Sequence, residues 1–135
     1  MAPGAVFVTQ SGPSGMYVIN EVCIPVFNTL SKVFKHTGLY HTHCPAFFDH
    51  YAFTLASDTV NTEDILTKGD VDALIEERVD ATHEIDADES AKGANAARFF
   101  DGETLKSSFV KPKWMKKMMQ ENPTIISDDA PSFLI

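Results

Sequence analysis

The chain has 135 residues, which is enough for one domain with one hydrophobic core. Its formal net charge of −8 is concentrated between residues 57 and 104, where Asp and Glu far outnumber Lys and Arg. An acidic middle of this kind argues against nucleic acid as the main partner, because binding to phosphates requires a basic surface. The sequence contains no apolar run long enough for a membrane span and no basic, apolar leader of a secretory signal.

The first 36 residues divide into a glycine- and proline-rich start and a long periodic segment. Residues 1–15 carry several Gly and Pro and predict an extended N-terminal arm. In residues 16–36, apolar side chains recur at alternating spacings of four and three, which predicts a helix. We favour a single helix kinked at Pro25, whose place lies on the polar side. The alternative is a strand over residues 17–22 followed by a helix that begins at Pro25.

Residues 34–53 hold four of the five histidines and a break between two helical patterns. Gly38 suits the position just after a helix, where a left-handed backbone is needed. Pro45 suits the first position of the next helix. Because Phe47, Tyr51 and Leu55 recur at helical spacing, the sequence predicts a helix from Pro45 to about residue 56.

The second half of the chain predicts shorter helices separated by connectors. A short turn over residues 63–68 precedes Asp70, which caps a predicted helix over residues 71 to about 82. Ser90 begins another candidate helix. A last helix is expected over residues 113–122, between Pro112 and Pro123.

These elements predict a mainly α fold, namely a small irregular helical domain of about four to five helices with extended N- and C-terminal arms. The expected organisation is an N-terminal arm over residues 1–15, a helical domain over residues 16–122 and a C-terminal tail over residues 123–135.

The histidine-rich stretch raises the question of a metal site. His41, His43, Cys44 and His50 carry atoms that bind zinc, and His36 or His83 could complete four ligands. No pair of spaced Cys-x-x-Cys motifs accompanies them, and adjacent side chains point apart in an extended connector. We therefore predict no metal, cofactor or catalytic site, with these four residues as the candidates for a zinc alternative.

Two features near the C-terminus predict contacts with neighbouring molecules. The predicted last helix combines Lys113, Lys116 and Lys117 with Trp114 and Met118, a pattern that fits an acidic protein partner or an anionic membrane surface. The tail ends in three apolar residues, which are unusual unless they dock elsewhere. The tail residues are Phe133, Leu134 and Ile135.

The sequence carries no complete catalytic set, which favours a non-catalytic accessory or scaffold subunit of a larger protein assembly. The first alternative is a small α+β enzyme or ligand-binding domain with a histidine-containing pocket. The stretch from Gly69 to Leu74 resembles an element common in cone-shaped α+β barrels of the SnoaL-like kind, which would imply such a domain. A His/Cys metal-binding module is the second alternative. With only Cys23 and Cys44 present, we expect reduced thiols and a reducing intracellular compartment.

Overall fold

The computed structural model describes residues 2–62, 64, 71–75, 77 and 100–131. In this part of the chain the strands are β1 (Phe7–Pro13), β2 (His36–Cys44) and β3 (Asp49–Ser57), and the helices are α1 (Cys23–Val33), α2 (Gly102–Ser108) and α3 (Lys113–Glu121). A single 3-10 turn, Pro45–Phe47, joins β2 to β3. Residues 71–75 are also helical. None of the described helices is long and apolar enough to cross a bilayer.

The three strands form one sheet in the order β1-β3-β2. The central strand β3 pairs in antiparallel fashion with both neighbours, so β1 and β2 run parallel to each other. Helix α1 connects these two parallel strands. The carboxyl ends of β1 and β2 therefore lie at the same edge of the sheet, beside the start of β3.

A buried hydroxyl pair fixes the register between β1 and β3. The register shifts between Gln10 and Gly12, where a bulge leaves Ser11 without a pairing partner on β3. The Ser11 and Thr54 hydroxyl oxygens lie 2.6 Å apart, and both side chains are fully buried. Gly12 has a φ of 89°, a left-handed conformation that glycine adopts without steric cost.

The hydrophobic core lies between one face of the sheet and helices α1 and α3. Leu39 and Ala52 come from the sheet, and Ile24 and Met115 come from the two helices. Four larger side chains are partly buried and pack against this core: Phe27, Trp114, Met118 and Met119.

The C-terminal segment wraps around the outer edge of β2. Phe109 contacts the ring of Tyr40 on one face of the sheet, with 5.5 Å between ring centroids. On the other face, His41 Nε2 donates a hydrogen bond to the carbonyl oxygen of Val110 at 2.9 Å. Beyond α3, the Thr29 hydroxyl of α1 accepts a hydrogen bond from the backbone N–H of Ile126.

The fold is α+β, so the prediction of a mainly α protein is wrong. The helix expected from Pro45 to residue 56 is one 3-10 turn followed by strand β3. The buried positions of β3 hold small residues and the half-buried positions hold larger apolar ones, so no alternation with polar residues reveals it. Gly38 lies inside β2 rather than after a helix; a Cβ there would lie 2.7 Å from the Thr62 hydroxyl oxygen.

The start of the chain also differs from expectation. Residues 7–13, expected in an extended arm, form β1. Helix α1 begins at Cys23, and Pro25 is buried in its first turn, where a missing N–H removes no helical hydrogen bond. No kink is therefore needed, and the alternative strand over residues 17–22 is instead a series of turns.

Several expected elements of the second half lie partly or wholly outside the described residues. These elements are the turn over residues 63–68, the helix after Ser90 and most of the helix over residues 71–82. The last helix is confirmed, because α3 spans Lys113–Glu121.

Candidate functional site

The sheet brings two loops together at the carboxyl ends of its parallel strands. We call this region the carboxyl edge and define it as residues 10–15, at the end of β1, and residues 44–51, from the end of β2 into β3. The turn after β1 and the start of β3 meet there, which gathers side chains from two segments that lie far apart in the sequence.

Aromatic side chains dominate one side of the carboxyl edge. The ring of Phe47 packs on Tyr51 with 4.7 Å between centroids, and Phe47 is 54% exposed. Phe48 is 93% exposed and has a φ of 53°, a left-handed conformation that non-glycine residues rarely adopt. Large apolar rings in such exposed positions are unusual unless a ligand or another surface covers them.

The one carboxylate of the carboxyl edge is Asp49, the first residue of β3. One of its oxygens accepts a hydrogen bond from the backbone N–H of His50 at 2.7 Å. The carboxyl group also lies against the backbone at Gly15, where a Cβ atom would come within 2.6 Å of Asp49 Oδ2. Glycine at position 15 is therefore what allows the turn after β1 to approach the start of β3 so closely.

A buried hydroxyl without a partner lies beside this contact. Ser14 is 1% exposed, and its Oγ has no hydrogen-bond partner. Its backbone N–H donates to the carbonyl oxygen of His50 at 2.8 Å, which ties the turn to β3. Buried hydroxyl groups are nearly always hydrogen-bonded, so Ser14 Oγ is an exception within the part of the chain that the structure describes.

Three of the candidate metal ligands lie together on the face of β2 and β3 that is opposite to Asp49 and Tyr51. The ring of His50 lies 5.7 Å from that of His41 and 5.6 Å from that of His43, measured between centroids. Strand alternation places Cys44 on the other face, so it does not join them. Among residues 2–62, 64, 71–75, 77 and 100–131, no group of three or more Cys, His, Asp or Glu side chains is spaced to hold a metal ion. His83 lies outside these residues.

Both cysteines are free thiols. Cys23 is fully buried, and desolvation raises the pKa of its thiol to about 12. Such a thiol is protonated at neutral pH and unreactive. Cys44 is half-buried beside the first residue of β3.

The predicted partner-binding helix uses its apolar face within the protein's own core. Met115 of α3 is buried, and Trp114 and Met118 are partly buried against the core cluster. The side chains of Lys113, Lys116 and Lys117 are exposed. Contact of this lysine face with another protein or an anionic membrane stays a prediction. Phe133, Leu134 and Ile135 lie outside the described residues.

Two surface grooves flank the end of α3, and neither is lined by a histidine. The first, about 300 Å³ in volume, lies between Phe27 on α1 and Met119 on α3. The second lies beside Asn20 and Pro123. Neither groove corresponds to the histidine-containing pocket that was the first alternative expectation.

The sequence interpretation missed the carboxyl edge, although a local signal for half of it exists. The apolar stretch over residues 5–9 is followed by Ser, Gly and Pro residues and then by a helix, which is the pattern of a strand-turn-helix unit. The pairing of Gly15 with Asp49 leaves no local signal, because it depends on the register of distant strands.

Comparison with known proteins links the chain to enzymes of polyamine synthesis. It is similar to thermospermine synthase ACAULIS5 of Arabidopsis thaliana, with 37% identity over 79 residues, covering 58% of this chain and 22% of the relative. The polyamine aminopropyltransferase of Sulfurisphaera tokodaii is 29% identical over 106 residues, covering 78% of this chain and 30% of the relative. That of Sulfolobus acidocaldarius is 26% identical over 131 residues, covering 97% of this chain and 38% of the relative. No family model matches the chain.

These relatives overturn the prediction of a non-catalytic accessory or scaffold subunit, because their names are those of enzymes. The chain spans only 22% to 38% of their lengths. An active site assembled from several distant segments need not leave a complete catalytic set within a stretch of that size. The lack of such a set was therefore a poor reason to expect a scaffold.

Proposed function

We propose that this chain is part of an enzyme that transfers an aminopropyl group to a polyamine, with the carboxyl edge forming one wall of its polyamine site. The observation that carries the proposal is the similarity to a plant thermospermine synthase and to archaeal polyamine aminopropyltransferases. One alignment extends over 97% of this chain, so the similarity includes both segments of the carboxyl edge.

The chemistry of the substrate fits the side chains of the carboxyl edge. A polyamine is a chain of methylene groups interrupted by amines, most of which are protonated at neutral pH. The rings of Phe47, Phe48 and Tyr51 offer apolar surface to the methylenes and π-faces to the ammonium groups. The two segments contain Asp49 but no Lys or Arg that would repel a cation.

The transfer reaction sets two demands on such a site. A carbon–nitrogen bond forms between the attacking amine and the aminopropyl carbon, while the bond from that carbon to the leaving group of an activated aminopropyl donor breaks. The attacking amine must be unprotonated to act as a nucleophile and loses its remaining excess proton after attack. The other amines must be held as cations in a fixed register, which is the role that the carboxyl edge would serve.

The proposal is tested by incubating the complete protein that contains this sequence with a polyamine and an activated aminopropyl donor. We expect a product heavier than the acceptor by one aminopropyl group, detected by mass spectrometry. Replacement of Phe47 by Ala should raise the KM for the polyamine, whereas replacement of the exposed Val33 on α1 should leave it unchanged. Absence of any aminopropylated product from the folded protein would refute the proposal.

A further inference from the structure

The segment that follows α3 crosses α1 and is held there through the backbone of every second residue. The side-chain amide of Asn28 donates hydrogen bonds to the carbonyl oxygen of Asn122 at 2.8 Å and to that of Thr124 at 3.0 Å. The Thr29 hydroxyl oxygen accepts the backbone N–H of Ile126 at 2.8 Å. Because all three bonds reach α1, they fix one side of this extended segment against that helix.

A groove of about 300 Å³ opens beside the same segment, between α1 and α3. Its apolar side chains come from Phe27 on α1, Met119 on α3, and Pro123 and Ile125. Ile125 is 46% exposed, and within the part of the chain that the structure describes its backbone forms no hydrogen bond. Exposed apolar side chains and unpaired backbone groups on one segment are the features that an added strand covers.

The chain reverses its direction directly after this segment. The backbones of Ser127 and Ala130 exchange two hydrogen bonds, of 3.3 and 3.0 Å, across a tight turn. This pairing sends the residues after the turn back along residues 122–126 in antiparallel fashion. In the register that it sets, residue 131 lies opposite residue 126, residue 132 opposite 125 and residue 134 opposite 123.

Pro131, where the described part of the chain stops, fits this register. Opposite residues of an antiparallel pair alternate between hydrogen-bonded and non-hydrogen-bonded positions. The pair of Ser127 and Ala130 is hydrogen-bonded, so residues 126 and 131 form a non-hydrogen-bonded pair. A proline is tolerated there because its missing N–H would point away from the partner. The next hydrogen-bonded pair is 125 with 132, which uses the unpaired backbone groups of Ile125.

From this geometry we propose that residues 132–135 continue the hairpin as a strand along residues 122–126 and place the side chain of Leu134 in the groove between α1 and α3. The strand fastens the end of α3 to α1. The proposal goes beyond the proposed function and does not depend on it.

The alternation of side chains selects Leu134 among the three consecutive apolar residues of this segment. Side chains of opposite residues share a face, so Leu134 lies on the face of Pro123 and Ile125, which both line the groove. Phe133 and Ile135 fall on the other face. Neighbouring apolar residues therefore differ in what covers them, which makes a matched control available within the same strand.

The test compares Leu134→Ala with Ile135→Ala in the complete protein by native-state hydrogen exchange. The two substitutions remove aliphatic groups of equal size from opposite faces of the strand. The amide of Ile125 reports the added strand, because its N–H pairs with residue 132 in the proposed register. The amides of Leu39 and Ala52, in the sheet, should keep their protection in both variants and thereby show that each protein is folded.

We expect the amide of Ile125 to be protected in the parent protein. Leu134→Ala should lower its protection factor by about tenfold, which corresponds to about 1.4 kcal/mol, and Ile135→Ala by less than about twofold. An unprotected Ile125 amide in the parent, or an equal loss in the two variants, would overturn the proposal. Protection that rises with protein concentration would also overturn it, because a second copy of the chain would then cover the groove.

Discussion

The buried hydroxyl pair between Ser11 and Thr54 gives a quantitative test of how β1 joins the sheet. The two oxygens lie 2.6 Å apart and both side chains are fully buried. Removing one hydroxyl, by Ser11→Ala or Thr54→Val, leaves the other buried without a partner, which costs about 1–3 kcal/mol. The double variant removes both groups, so it should cost about as much as one single variant rather than the sum of the two.

The assay is native-state hydrogen exchange of the β1 and β3 amides in the complete protein, which reports local opening free energies. A matched control is available at Ser31 and Thr37, whose hydroxyl oxygens lie 2.9 Å apart at the surface. There, water replaces a lost partner, and the two substitutions should add. If the effects at Ser11 and Thr54 were also additive, the two hydroxyls would not be paired and the bulged register of β1 would be incorrect.

Three further predictions concern the core, the thiols and helix α2. Leu39→Ala should destabilise the fold by about 2–5 kcal/mol because Leu39 is fully buried, whereas Val33→Ala, at a position 67% exposed, should cost under about 0.5 kcal/mol in the same denaturation experiment. Alkylation at pH 8 followed by mass spectrometry should label Cys44 and spare Cys23 until the protein unfolds, since burial raises the Cys23 pKa to about 12; rapid labelling of native Cys23 would contradict this. Hydrogen bonds from Thr104 lower the pKa of Asp101, so the stabilisation of α2 is present above the unfolded pKa and is lost as pH falls through the folded one. The protection factors of the α2 amides, which are corrected for the pH dependence of intrinsic exchange, should therefore fall in acid, and Asp101→Asn should remove that fall; an equal acid response in both proteins would refute it.

Local signals predicted some elements of this fold correctly. Helix α3 lies between Pro112 and Pro123, and its apolar residues recur at helical spacing, so a short stretch of sequence contains all the information needed. The apolar face of that helix was assigned to a partner, yet it packs in the protein's own core through Met115. Periodicity identifies an apolar face but does not identify what covers it.

Strand β3 could not be predicted in this way. Its buried positions include the small residues Ala52 and Ala56, and its half-buried positions hold larger apolar residues, so it lacks the alternation of polar and apolar residues that marks a half-exposed strand. The spacing of Phe47, Tyr51 and Leu55 then satisfies a helical template by coincidence. The pairing of β3 with β1 and β2 makes this segment a strand instead of a helix. The local sequence carries no information about that pairing.

The candidate site shows the same division between local and long-range information. Side chains two residues apart share a face of an extended strand, and strand β2 places His41 and His43 in this way. The approach of His50 to both, and of Asp49 to Gly15, depends on the register of β3 against β2 and β1. Contacts between segments so far apart in sequence follow only from the sheet topology.

The assignment of the polyamine site to the carboxyl edge is tested most directly by a crystal structure of the complete protein with a polyamine bound. We predict density for the polyamine along Phe47 and Tyr51, with one nitrogen within hydrogen-bonding distance of an Asp49 carboxyl oxygen. A polyamine bound at full occupancy elsewhere, with Asp49 and the aromatic rings contacting only solvent, would contradict that assignment.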